Sequence, residues 1–399
     1  MSPAPFALDD FTLPAPGSDT LKRVLSRLWP SLVRDLASLP RVGDDPLRTR
    51  VASRISALWS SDPATAARIA RLHSIAPRAR IARLDPSRLS LEVHRALDRD
   101  VAIELAAAGA FGAPLRVTRP RSGWTPLRLA SRGVSLDLDE SVCAVTFEDR
   151  ALSLDGARVS LDGVPPSGDG VTVREGWRSI DGRVALALVD DNPAATSALH
   201  PDRAKGNALD LGGRDPSAWC DALRSALAMV DTHLPVITHE RRLLARVIVP
   251  VGVDDERHDS CTYDGAPGAM YLSLHPDPVK LAEAIVHEFQ HDKLHALMRF
   301  DPLLENVRDE GFRSPVRPDP RPLRGVLLAA HAFLPVAAMY RAMRDAKTAA
   351  SAHPRFDERA EAVRVANVEA MAVLRESARP TALGARLLDE LERLARELT

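Results

Sequence analysis

The chain has 399 residues, 45% apolar and 27% charged, with 53 basic against 54 acidic side chains and a net charge of −1. That length exceeds one ordinary hydrophobic core and predicts two or three structural units. The balanced charge gives no electrostatic basis for nucleic acid or an anionic membrane as the main partner. Cys143, Cys220 and Cys261 are scattered and form neither a CxxC pair nor a cluster able to hold zinc or an iron–sulfur centre. Reduced thiols, an acidic N-terminus without secretory-signal features and the lack of an uninterrupted apolar run of spanning length predict a cytoplasmic protein with no membrane partner.

In chain order, the fold class reads as α+β. A helical N-terminal region (1–120) precedes a β-rich middle (121–210) and a mostly helical metal-binding domain (211–399). Ser18 and Asp19 can cap a first helix that Pro30 kinks or splits. Asp45-Pro46, Asp62-Pro63 and Asp85-Pro86 each place a cap before proline at a first helical position. In the middle, GVSLDLDESVCAVTFED alternates apolar and polar residues as a half-buried strand pair does, and ARVSLDG and GRVALALVDD continue an antiparallel sheet. Further on come a helix in DPSAWCDALRSALAMVDTHL, strands in LARVIVPVGV and GAMYLSL, the helix LAEAIVHEFQHDKLHALMRF, a proline-rich loop, and helices to the end.

The motif helix carries the chemistry. His287 and His291 lie four residues apart, so both imidazoles fall on one face, one turn apart, where they can share an ion. Glu288 points about a third of a turn away, where it can reach a metal-bound water or a neighbouring group. Two core histidines flanking a surface glutamate are the bland alternative. Strand, glycine-rich turn, strand and motif helix is the order of zincin-like domains, which set a substrate-binding edge beside the ion. Here that edge is GAMYLSL, able to pair with an extended peptide.

The third ligand is open. His295 lies one turn beyond the pair, too far along a straight helix for the same ion, and Leu294 and Leu297 occupy the positions that a metzincin fills with Gly and His. Glu305 and Glu310 stand at the distance of a gluzincin carboxylate, in a segment that also reads as a solvated loop. His331 lies in the apolar helix GVLLAAHAFLPVAAM, where an unpaired imidazole is costly to bury. The loop SPVRPDPRPLRG holds Arg317, Arg321 and Arg324 among Pro315, Pro318, Pro320 and Pro322, a spacing suited to a preorganised carboxylate clamp and also to an ordinary solvated loop.

Residues 265–345, carrying GAMYLSL, VHEFQHDKLHALM and SPVRPDPRPLRGVLLAAHAF, resemble the HExxH-motif proteins found beside pathways that modify ribosomally made peptides. The resemblance implies an iron(II)- and 2-oxoglutarate-dependent oxygenase that hydroxylates a side-chain β-carbon of a precursor peptide. It implies His287 and His291 as iron ligands with His331 third, and Arg321 or Arg324 on the distal carboxylate of 2-oxoglutarate. Glu288 then orients rather than activates water. A zinc(II) peptidase, with Glu288 as catalytic base, needs the same ligand count. A non-catalytic peptide-binding partner in a modification pathway is the third reading.

Overall fold

The computed structural model describes residues 8, 10–40, 45–168, 170–190, 192, 208–256, 258–313 and 319–398. It is mixed α+β, 52% helix and 16% strand, with antiparallel sheets and a helical C-terminal region. The chain falls into two compact units: Arg27–Asp210 with Gly265–Pro267, and Met1–Ser26 with Leu211–Asp264 and Gly268–Thr399.

Helix starts follow the aspartate–proline pairs, with one exception. α1 (Thr20–Ala37) runs through Pro30 unbroken. Its stripe of Leu21, Leu25, Leu28, Leu32 and Leu36 is buried, which outweighs the single backbone bond that proline removes. Asp45 caps α2 (Pro46–Ser61) by accepting from Leu47 N at 2.9 Å, and Asp62 caps α3 (Pro63–Ala70) by accepting from Thr65 N at 3.1 Å. α4 (Ala76–Leu84) follows. Asp85-Pro86 opens only a 3-10 turn, because the Asp85 carboxylate accepts from the Ser87 hydroxyl instead of a backbone N–H. α5 (Leu91–Ala107) begins later, capped by Ser90.

Among the described residues nine strands come next: β1 (Leu115–Thr118), β2 (Leu127–Leu129), β3 (Val134–Leu138), β4 (Ala144–Glu148), β5 (Ala151–Leu154), β6 (Ala157–Ser160), β7 (Val171–Glu175), β8 (Trp177–Ser179) and β9 (Ala185–Ala187). β3 and β4, expected to pair, lie in different sheets. β4 belongs to the order β1-β4-β5-β6 and β3 to β2-β3-β7. Local turns decide this. Arg150 (φ 60) folds β5 back on β4, and Asp155-Gly156 (φ 46 and 105) folds β6 back on β5. One hydrophobic core takes Val51 and Ile55 of α2, Val101 and Leu105 of α5, and Leu136, Phe147 and Leu152 of the sheets. The helical region and the β-rich middle therefore share a core.

The other unit contains α6 (Pro216–His233), α7 (Pro235–Leu244), β10 (Val247–Val253), β11 (Ser260–Cys261), β12 (Ala269–Leu274), α8 (Pro278–Met298), α9 (Leu323–Asp345), α10 (Pro354–Ser377) and α11 (Ala382–Leu398). β12 pairs in parallel with β10 and antiparallel with β11. The GAMYLSL segment is thus flanked on both sides, and β11 takes the outer place expected for it. α9 has the length and hydropathy of a membrane span, yet 72% of that window is buried in the fold, as in a core helix. Glu390 of α11 accepts from Phe11 N and Thr12 N at 2.9 and 2.7 Å, drawing residues 11 and 12 into the interior.

Glu104 of α5 is buried and accepts from Ser131 N at 2.9 Å; burial pushes its carboxyl up to about 7. A carboxyl whose folded pKa is raised stabilises fully below its unfolded value, and that contribution is lost as pH rises through about 7. Glu104→Gln keeps an acceptor for Ser131 and removes the titration. In denaturant unfolding, the variant is expected to lose less stability than the wild type between about pH 5 and about pH 8; equal losses would contradict the assignment.

Candidate metal centre

Helix α8 starts at Pro278, where the Asp277 side chain accepts from Val279 N at 2.8 Å. Its buried polar side chains each reach a different element. Glu283 accepts from the Tyr340 hydroxyl of α9 at 2.9 Å and from Arg359 Nε of α10 at 3.0 Å. Glu288 Oε1 accepts from Ser260 Oγ of β11 at 2.6 Å, and Gln290 Nε2 donates to Thr12 O at 3.1 Å. Asp292 Oδ2 accepts from Gly268 N at 2.7 Å, and Lys293 pairs with Glu240 of α7. From Leu281 to Leu297 every residue is buried except His287, His291 and His295. Over this span the half-buried face of the helix is a stripe of three imidazoles, one per turn.

The first two converge. His287 Nε2 and His291 Nε2 are 2.7 Å apart, their rings edge to face with centroids 4.2 Å apart. An ion bound to both would hold the nitrogens about 3.0–3.4 Å apart, so the rings need to part by only a few tenths of an ångström. Glu288 joins them in one group whose donor atoms lie within 4.8 Å of one another. Two imidazoles and a carboxylate are a donor set suited to zinc or to non-haem iron, and the residues therefore fit a divalent cation. His295 continues the stripe, its ring 6.4 Å from that of His291. Loss of water around the ring, then the Arg324 charge, push its imidazole down to about 4.

Other expected residues lie elsewhere. Among the described residues, His331, Glu305 and Glu310 are outside the His287–Glu288–His291 group. Phe333 takes the side of α9 that meets His287, with ring centroids 4.6 Å apart. His331, two residues back and about 200° around the helix, turns instead to Phe11, 5.7 Å away. It is fully buried and neither ring nitrogen completes a hydrogen bond, although the Gln290 backbone lies beside it. Burial, then Lys293, hold it well below the usual histidine range. Arg324, on the first turn of α9, lies 3.5 Å from Asp264, and Arg321 lies 3.1 Å from Asp319. Arg317, Pro315 and Pro318 are outside the described residues.

Sequence reasoning missed Ser260, because a two-residue strand has no readable period, and Asp292. A charge on the buried side of a helix was the available signal for Asp292. It fixes the start of β12 at Gly268 (φ +87), where an added Cβ would meet Leu244 O at 2.7 Å. No protein-family model matches the chain, and no curated protein matches it at a significant level.

Burial, opposed by the Gly268 N–H, pushes the Asp292 carboxyl up to about 8. Asp292→Asn is expected to keep stability within about 1 kcal/mol, whereas Asp292→Leu strands the Gly268 N–H and costs about 1–3 kcal/mol. Chemical denaturation checks both; equal losses would show that the hydrogen bond is not what Asp292 contributes.

Proposed function

We propose that the chain is a metal-dependent oxygenase that uses iron(II) and 2-oxoglutarate to hydroxylate a side-chain β-carbon of a ribosomally made precursor peptide. The observation that carries this reading is the convergence of His287 and His291 beside Glu288 on the half-buried stripe of α8. Iron(II) with 2-oxoglutarate supplies the oxidising chemistry. His287 and His291 hold the ion, and Glu288 is the carboxylate within reach of it, kept in place by Ser260 Oγ. Arg324 lies close enough to His295 to depress its basicity. It is suited to receive the distal carboxylate of 2-oxoglutarate, since its 3.5 Å pairing with Asp264 is too long for a good hydrogen bond. Arg321 is the second candidate for that contact. The zincin-like reading of this unit rests on the same strand–helix order.

A zinc peptidase is the second reading. It is favoured by the buried Glu288 carboxylate beside the pair, placed where a base for a metal-bound water is needed.

Anaerobically purified protein is expected to bind about one iron(II) per chain and to lose it in His287→Ala and His291→Ala. With precursor peptide it should release succinate. Arg324→Ala should raise the KM for 2-oxoglutarate roughly tenfold to a hundredfold, equivalent to about 1.4–2.8 kcal/mol. Zinc retention with peptide cleavage abolished by Glu288→Gln and untouched by Arg324→Ala would replace this reading with the second. Undiminished metal content in both histidine variants would overturn both.

A further inference from the structure

The other unit carries a feature that the metal centre does not use. β1 stands at the end of its sheet, pairing with β4 on one side. Arg119 N donates to Cys143 O at 2.8 Å in the same register. Antiparallel pairing alternates, so Leu115 and Val117 bond to β4 while the N–H and C=O of Arg116 and Thr118 point to the outer edge. Beside that edge lies a cleft of about 560 Å³ lined by Arg95, Arg99, Arg116 and Arg119, with Leu47 and Leu91 as apolar wall.

The charge is one-sided. Asp45, the acidic residue lining the cleft, uses its carboxylate to cap Leu47 N and Arg48 N. Glu92 is engaged by Arg99 at 2.8 Å and by Ser122 Oγ at 3.0 Å. Arg119 donates to the Glu140 carbonyl, whereas Arg95 and Arg116 are exposed and enter no salt bridge among the described residues. Leu91, at the first position of α5, is 46% exposed.

We propose that this cleft binds an extended acidic peptide segment, added as a strand to the outer edge of β1. Backbone groups of Arg116 and Thr118 supply the ladder, Leu47 and Leu91 take apolar side chains from one face, and Arg95 and Arg116 take carboxylates. A peptide of alternating apolar and acidic residues meets all three requirements, because successive side chains of a strand point to opposite faces. The proposal does not rest on the metal centre, and its binding assay needs neither metal nor turnover.

The probe is a fluorescent, end-blocked peptide of about eight residues alternating valine and aspartate, titrated by anisotropy into the full-length chain and into its His287→Ala variant. Both are expected to bind it saturably and equally, more weakly at high salt. Arg95→Glu with Arg116→Glu should weaken binding at least roughly tenfold. Thr118→Pro removes only an outward N–H, a change that edge strands tolerate, and should weaken it too, with circular dichroism unchanged. Of two peptides N-methylated at alternate residues, one on its valines and one on its aspartates, one should fail to bind and the other should still bind, because only alternate N–H groups of an added strand face β1. Three results would overturn the proposal: no saturable binding to the wild type, affinity unmoved by these variants, or tighter competitive binding of a single-stranded oligonucleotide. The first, with aggregation of the arginine variants, would mean that the arginines only guard a bare strand edge.

Discussion

Burial of charged and amide side chains along α8 is the constraint from which the metal centre follows. A buried polar group left without a partner costs about 1–3 kcal/mol, more if charged. Glu283, Glu288, Gln290, Asp292 and Lys293 each find theirs on a different neighbour: α9 and α10, β11, the segment at Thr12, the start of β12, and α7. These ties fix the helix in rotation as well as position. A turn of α8 about its axis that hid His287 and His291 would break several of them at once. The direction of the two imidazoles is thus set by the other polar side chains of α8.

That rigidity bears on either of the proposed chemistries. A site whose ligands are already aligned binds a cation without an ordering cost, and it keeps the surrounding groups in register for substrate. Glu288 shows the principle at short range. Its carboxylate stands beside the imidazole pair while Ser260, on the outer strand of the sheet, holds one of its oxygens. A 2.6 Å hydrogen bond links strand and centre. Farther along the same stripe, burial and the Arg324 charge hold the His295 imidazole down at about 4, so the face that begins with two converging imidazoles continues toward a cationic side chain.

The parts legible in the sequence were those with local causes. The i, i+4 spacing in a helix with no glycine or proline beyond its first residue places His287 and His291 together, and Asp45 and Asp62 cap as their Asp-Pro pairs imply. The remainder depends on partners remote in sequence. Alternation in residues 134–148 reports which face each strand buries, not which strand it pairs with, so β3 and β4 read as neighbours. Asp85 fails as a helix cap because Ser87 competes for its carboxylate. His331 sits in a helix apolar all round, where periodicity gives no direction, and Phe333 proves to be the residue facing His287.

The most direct measurement is an X-ray absorption spectrum of the chain loaded anaerobically with one equivalent of iron(II). Imidazole scattering from two ligands is expected, reduced in the His291→Ala protein. A shell of oxygen donors alone, unchanged by that substitution, would contradict a centre built on the two converging histidines of α8.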